Sequence, residues 1–189
     1  MLLEGKVVWL TGASSGIGKA LVIQLAKKGC KLVLSSRKES DLIHAIKAAN
    51  LGKENSLLIP FDLNDTSGAE DYVRQIVSKF GRIDVLINNG GFSQRAEAKD
   101  TSLEMSRELL EVNFFSAVAL TKAVLPEMIK QHSGSVVVIS SIAGKFGFFL
   151  RSSYSAAKHA LHGYFESFRL ETEKYGIKTL IVCPGKIKT

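Results

Sequence analysis

The chain carries a tyrosine and a lysine four residues apart, in Tyr154-Ser155-Ala156-Ala157-Lys158. On a helix that spacing puts both side chains on one face. A nearby ammonium favours the phenolate and lowers a tyrosine pKa from its ordinary value of about 10. The phenol can then give or take a proton near neutral pH. Ser140-Ser141 end a β-branched run thirteen residues before the tyrosine, and Asn113 lies further upstream. A Tyr-x-x-x-Lys pair alone is common and usually a surface pair. Its combination with Ser141, Asn113 and an N-terminal glycine turn is much rarer.

That turn reads Thr11-Gly12-Ala13-Ser14-Ser15-Gly16-Ile17-Gly18 and follows the first apolar run directly. Three glycines let the backbone tighten, approach a pyrophosphate and pack helix on strand. The N–H groups and dipole of the helix start then face the anion. After the second run comes Ser35-Ser36-Arg37-Lys38, where an NAD-binding chain usually offers an acidic partner for the ribose 2′-hydroxyl. Hydroxyls and two cations suit a 2′-phosphate instead, with Arg37 the better partner because its fork is bidentate. NADP is therefore expected over NAD. Asp62-Leu63 and Asn89-Gly90-Gly91 follow the third and fourth runs and would flank the adenine and its ribose. Asp62 could equally cap the next helix.

Residues of these types need strand ends to hold them. The sequence predicts strands over 7–10, 32–35, 56–60, 85–88, 135–140 and 178–183. Helices are predicted over 16–28, 40–49, 67–80, 103–131 and 153–175. Continuously apolar strands alternating with helices imply one domain over 1–189, an α/β fold with a doubly wound parallel sheet and helices on both faces. Ligands then sit at the carboxyl ends of the strands. With 46% hydrophobic and 23% charged residues the chain is no disordered segment. Two cysteines make no disulfide framework and point to a reducing, cytoplasmic setting. No long apolar run is expected to span a membrane, since Lys122 interrupts the stretch around 114–125. The net charge of +7 is scattered in pairs, so no nucleic-acid partner is expected.

Thr11–Gly18, Asn88–Gly91, Asn113, Ser141, Tyr154-x-x-x-Lys158 and Pro184-Gly185 together resemble the short-chain dehydrogenase/reductase family, in order and through essentially the whole chain. The resemblance implies a Rossmann-like, nicotinamide-dependent oxidoreductase acting on a small carbonyl or alcohol, with an Asn-Ser-Tyr-Lys tetrad. Tyr154 would be its acid/base, and Ser141 would hold the substrate oxygen. Lys158 would hold the nicotinamide ribose and tune Tyr154, while Asn113 would anchor a water in the proton relay. Pro184, Gly185 and Thr189 would lie by the nicotinamide, and Ser36-Arg37 is similar to the pair in NADP-preferring members. The other reading is a catalytically idle regulatory or scaffold protein on the same fold.

Three departures from the family pattern stand out. Gly90 replaces the usual alanine, which implies a looser strand end, and Lys186 follows Pro184-Gly185. The family continues past Thr189 with a substrate lid, a helix and a last strand. The chain is thus expected either to be a piece of a longer one or to lack the lid. Phe146, Phe148, Phe149 and Leu150 would line an apolar pocket or pack beneath such a lid. His159 and His162 lack a third partner for a metal, and Cys183 reads as core. Finally, Ala156, Ala160, Gly163 and Ser167 form an outward stripe of small residues, opposite Tyr154, Lys158, Leu161, Phe165 and Phe168. With the apolar helix before it, the stripe predicts a homodimer through helices 103–131 and 153–175.

Overall fold

A computed structural model describes residues 3–187. Six parallel strands run in the order β3-β2-β1-β4-β5-β6. They are β1 (Val7–Thr11), β2 (Lys31–Ser35), β3 (Ser56–Leu58), β4 (Val85–Asn88), β5 (Gly134–Ile139) and β6 (Ile177–Val182). The order reverses between β1 and β4, which pair in register from Val8 with Val85 to Leu10 with Ile87. In this architecture that reversal opens a crevice at the strand carboxyl ends.

Side chains alternate across a strand, and β1 shows what that does here. Val7 and Trp9 enter the larger core with Leu120, Val124, Leu161 and Phe165, while Val8 and Leu10 enter the smaller one with Val22, Leu42 and Ala45. Helices α1 (Gly16–Lys27) and α2 (Glu39–Ala48) therefore cover one face. Helices α3 (Ala69–Phe80), α5 (Ser116–Lys130) and α6 (Ser152–Thr172) pack into the larger core on the other face, and α4 (Leu103–Leu110) packs against α6. The expected α/β fold is the observed one.

Several boundaries differ from the sequence reading, each for a local reason. β3 stops before Pro60, which has no N–H to donate. α3 begins at Ala69 because Ser67 is held outside it by the Asp65 carboxylate, which accepts from its N–H and hydroxyl. The helix expected over 103–131 is broken by a π-helical segment, Glu111–Phe115, between α4 and α5. The run Leu103–Lys130 is also long and apolar enough to cross a membrane, by length and composition. That corrects the weight given to Lys122. Its charge sits at an exposed position while Leu120, Val124 and Met128 on the same helix are buried in the larger core.

Candidate active site

The glycine turn is clamped to the end of β4. Asn89 donates its side-chain amide to the carbonyls of Thr11 (3.0 Å) and Gly12 (3.2 Å). The Thr11 hydroxyl accepts from the N–H groups of Asn89 and Gly90 at 3.1 and 3.0 Å. Asn89 thus shapes the turn and lines the cavity on one side of it, Gly90 lines the groove on the other side, and Gly91 lines both. Gly12 has φ +64°, and a Cβ there would lie 2.7 Å from the Gly90 Cα. A Cβ on Gly18 would fall 1.9 Å from the Gly12 carbonyl oxygen. No other residue fits at either place.

Beside the turn a groove of about 520 Å³ is lined by Gly12, Ser14, Ser15, Ser36, Arg37, Asp62 and Leu63. Arg37 is exposed, and Ser36 donates its hydroxyl to the Lys38 carbonyl at 3.3 Å. Asp62 caps no helix: its carboxylate accepts from the Asn64 N–H at 3.0 Å, in a turn well before α3. Gly90 is not loose either. A Cβ there would stand 2.4 Å from Leu63 Cδ1, so the missing methyl is the space that Leu63 fills.

A second cavity, of about 610 Å³, brings together Asn113, Ser141, Tyr154 and Lys158 with Ile17, Pro184 and Gly185. Ser141 leaves the end of β5, and its hydroxyl accepts from the Ala143 N–H at 3.1 Å. Asn113 sits in the π-helical segment, where its side-chain amide donates to the carbonyls of Leu109 (3.0 Å) and Phe92 (2.9 Å). Its Oδ1 is buried without a partner. Lys158 is buried, with Nζ 5.7 Å from the centre of the Tyr154 ring and donating to the Ile139 carbonyl at 2.9 Å. Burial pushes its pKa from 10.5 down to about 8. The pair is therefore no surface pair.

The short chain dehydrogenase family model matches residues 6–189. The chain belongs to the short-chain dehydrogenase/reductase family. It is 44% identical to human dehydrogenase/reductase SDR family member 7 and 41% identical to the SDR family protein 7-like dehydrogenase/reductase of Anopheles gambiae. The alignments cover 99% of this chain but 57% and 61% of those relatives, so it spans little more than half their length. A crystal structure of a Streptomyces avermitilis short-chain dehydrogenase superposes with a TM-score of 0.92 at 35% identity, over 98% of this chain and 67% of that one. Members of this family are oxidoreductases that use nicotinamide cofactors, and the short-chain dehydrogenase cradle here fits such a group. The backbone at Gly12 and Gly18 leaves no space for a Cβ, an open groove runs past Ser36 and Arg37, and an orphaned Asn113 Oδ1 awaits a donor. Thr189 lies outside the described residues.

Of Phe146, Phe148, Phe149 and Leu150, Phe148 alone lines the cavity; all three phenylalanines are exposed and Leu150 is half-buried. Sequence reasoning missed two features of the site. Arg151 lines the cavity with its guanidinium 5.9 Å from the Tyr154 ring centre, and it donates to the Ser93 hydroxyl and the Gln94 carbonyl. Its position three residues before Tyr154 was the one available signal. Cys183 is not core: it is part-exposed, with Sγ 3.6 Å from His162 Nε2. No local pattern marks that contact.

Proposed function

We propose that the protein transfers hydride between NADP(H) and a small carbonyl or alcohol substrate, with Tyr154 as acid/base. The observation that carries this reading is the convergence of Asn113, Ser141, Tyr154 and Lys158 on one cavity, next to the glycine turn. Gly12, Ser14, Ser15, Gly16, Ile17 and Gly18 would hold the pyrophosphate, Ser36 and Arg37 the 2′-phosphate, and Asp62, Leu63 and Gly90 the adenosine. Pro184 and Gly185 would flank the nicotinamide, which when bound supplies or takes up the hydride.

In the reducing direction the Tyr154 hydroxyl gives its proton to the substrate oxygen, and the Ser141 hydroxyl donates a hydrogen bond to that oxygen. The Lys158 ammonium stabilises the phenolate left behind. Asn113 Oδ1, a buried acceptor without a protein partner in the same cavity, accepts from a water that returns the proton. An idle scaffold would have no use for a buried lysine beside a tyrosine, because an unpaired buried charge costs stability. The two free thiols support a reducing, cytoplasmic setting.

The same reading extends to a homodimer. Ala156, Gly163 and Ser167 are exposed and Ala160 half-buried on α6, while Phe115, at the start of α5, is 50% exposed. Nothing lies within 4 Å of a Cβ placed on Gly163. No described segment of the chain covers the stripe there, which leaves room for a second copy.

The deciding experiment is Tyr154→Phe, assayed by NADPH oxidation over a panel of carbonyl compounds. Turnover should fall by roughly 10²–10⁴-fold with cofactor affinity nearly unchanged. A loss of only a few-fold removes Tyr154 from the acid/base role.

A further inference from the structure

Behind the catalytic residues lies a buried polar cluster that the mechanism above does not use. His162, one helical turn beyond Lys158, is 7% exposed. Its Nε2 stands 3.0 Å from the Ser140 hydroxyl and 3.6 Å from Cys183 Sγ. Its Nδ1 has no hydrogen-bond partner and faces Glu166 Oε1 at 3.6 Å, and Glu166 in turn is 4.0 Å from Lys145 Nζ. Ser140 also donates to the backbone carbonyl of Lys158, at 3.4 Å. The order Ser140–His162–Glu166 is that of a nucleophile, a base and a carboxylate. Ser140 borders the catalytic cavity but is only 4% exposed, and its hydroxyl is held between the ring and the Lys158 carbonyl and is not presented to a substrate.

What the cluster joins is more informative than its order. Ser140 precedes the substrate-side Ser141, and Cys183 precedes Pro184-Gly185. Past the strand ends the two segments stay paired, through Ser140 N–H to the Val182 carbonyl (2.8 Å) and Ile142 N–H to the Pro184 carbonyl (3.1 Å). The turn Ile142–Gly144 also closes on the same ring: a Cβ on Gly144 would lie 2.6 Å from Ser140 Oγ and 3.0 Å from His162 Cδ2. One imidazole therefore touches the end of β5, the turn after it and the end of β6, from the helix that carries Tyr154 and Lys158.

We propose that His162 is a positioning residue, a polar peg that fixes the Pro184-Gly185 segment relative to Ser141, Tyr154 and Lys158. The proposal rests on the oxidoreductase reading above for its catalytic consequence, but not for its structural one. Burial, then the Lys145 charge, holds the imidazole below its ordinary pKa against the opposing pull of Glu166, with His159 adding to the lowering. A neutral ring keeps one donor and one acceptor for its neighbours. Misplacement of reacting groups by about 1 Å can cost on the order of 10²-fold in rate. A loosened peg should therefore be read in kcat and not in adenosine binding.

The test compares wild type, His162→Ala, His162→Gln and Ser140→Ala, all in a Cys30→Ala background so that Cys183 is the one remaining thiol. The rate at which Cys183 reacts with an aromatic disulfide needs no cofactor. It should rise at least roughly fivefold in His162→Ala and Ser140→Ala and stay near wild type in His162→Gln, whose amide keeps a donor and an acceptor. With NADPH and a reducible carbonyl, kcat should fall roughly tenfold in the alanine variants. Affinity for an adenosine bisphosphate that lacks nicotinamide should stay within about twofold. An unchanged thiol rate overturns the peg, and adenosine affinity falling in step with kcat overturns its specificity. If His162→Ala fails to fold, Ser140→Ala decides by the same two readouts. A wild type that reduces no carbonyl sinks the oxidoreductase reading alone, since the thiol rates still judge the peg.

Discussion

Replacing Lys158 by Met keeps an unbranched side chain, one heavy atom shorter, and removes its charge. The lysine is 5% exposed, and burial lowers its pKa from 10.5 to about 8. That difference corresponds to about 3 kcal/mol by which the charged form disfavours the folded state. Methionine relieves it, but leaves the Ile139 carbonyl without its 2.9 Å partner, at a cost of about 1–2 kcal/mol. At pH 7 the variant should be more stable than wild type by about 1–2 kcal/mol, which raises Tm by roughly 2–8 °C for a chain of this size. Above pH 8 the difference starts to shrink. The unfolded lysine keeps its proton up to about 10.5 while the folded one has lost it, so the unfolded state binds more protons across that window. Wild-type stability therefore rises relative to the variant as pH rises, and the two cross before about pH 10.5. Denaturant titrations of both proteins from pH 6.5 to 10.5, in a Tyr154→Phe background to remove the tyrosine's ionisation, measure the difference directly. A stability difference that does not change with pH would refute the buried-charge argument, whatever the variant does to activity.

Two further predictions concern recognition and assembly. Arg37→Ala should weaken NADPH binding at least roughly tenfold while leaving NADH within about twofold, because only the 2′-phosphate loses a bidentate partner; equal losses in fluorescence titration would show that Arg37 does not read the phosphate. Ala160→Leu should overpack the small-residue face of α6 and shift a dimer toward monomer in light scattering, and a wild type that is monomeric at micromolar concentration would end the dimer reading without the variant.

The parts of the fold visible in the sequence are those where a single local cause dominates. Val85–Asn88 matches its predicted strand at both ends because a central parallel strand is buried on both faces and reads as an uninterrupted apolar run. The inward stripe of α6 was equally plain: Leu161, Phe165 and Phe168 are all buried, since helical spacing alone fixes their direction. The site was legible wherever backbone constraint picked the residue type, as at Gly12 and Gly18. Gly90 was misread because its reason is tertiary. Its missing Cβ is occupied by a leucine that comes from a different strand end, and no spacing rule connects the two. The contacts of His162 were hidden for the same reason. The sequence sets it beside His159 as a pair without a third metal partner, while its neighbours in the fold, Ser140 and Cys183, lie 22 and 21 residues away.

The π-helical segment shows most clearly what such patterns leave out. In a regular helix the carbonyl of Leu109 would accept from the backbone N–H of Asn113. Here the Asn113 side-chain amide also donates to it, at 3.0 Å. Asparagine is suited to this contact because its amide competes with the backbone for nearby acceptors. The helix can then take up an extra residue over Glu111–Phe115 without leaving that carbonyl unpaired, and such insertions occur often at functional sites. One extra residue turns everything after it by about 100°, so faces counted from Leu103 do not carry over into α5. What makes the bulge favourable is the second proton of the same amide, which reaches the Phe92 carbonyl on the loop after β4 at 2.9 Å. With both protons committed, Oδ1 is fixed in the cavity as a free acceptor. The local helical defect and the placement of this free acceptor are thus linked through a carbonyl 21 residues away.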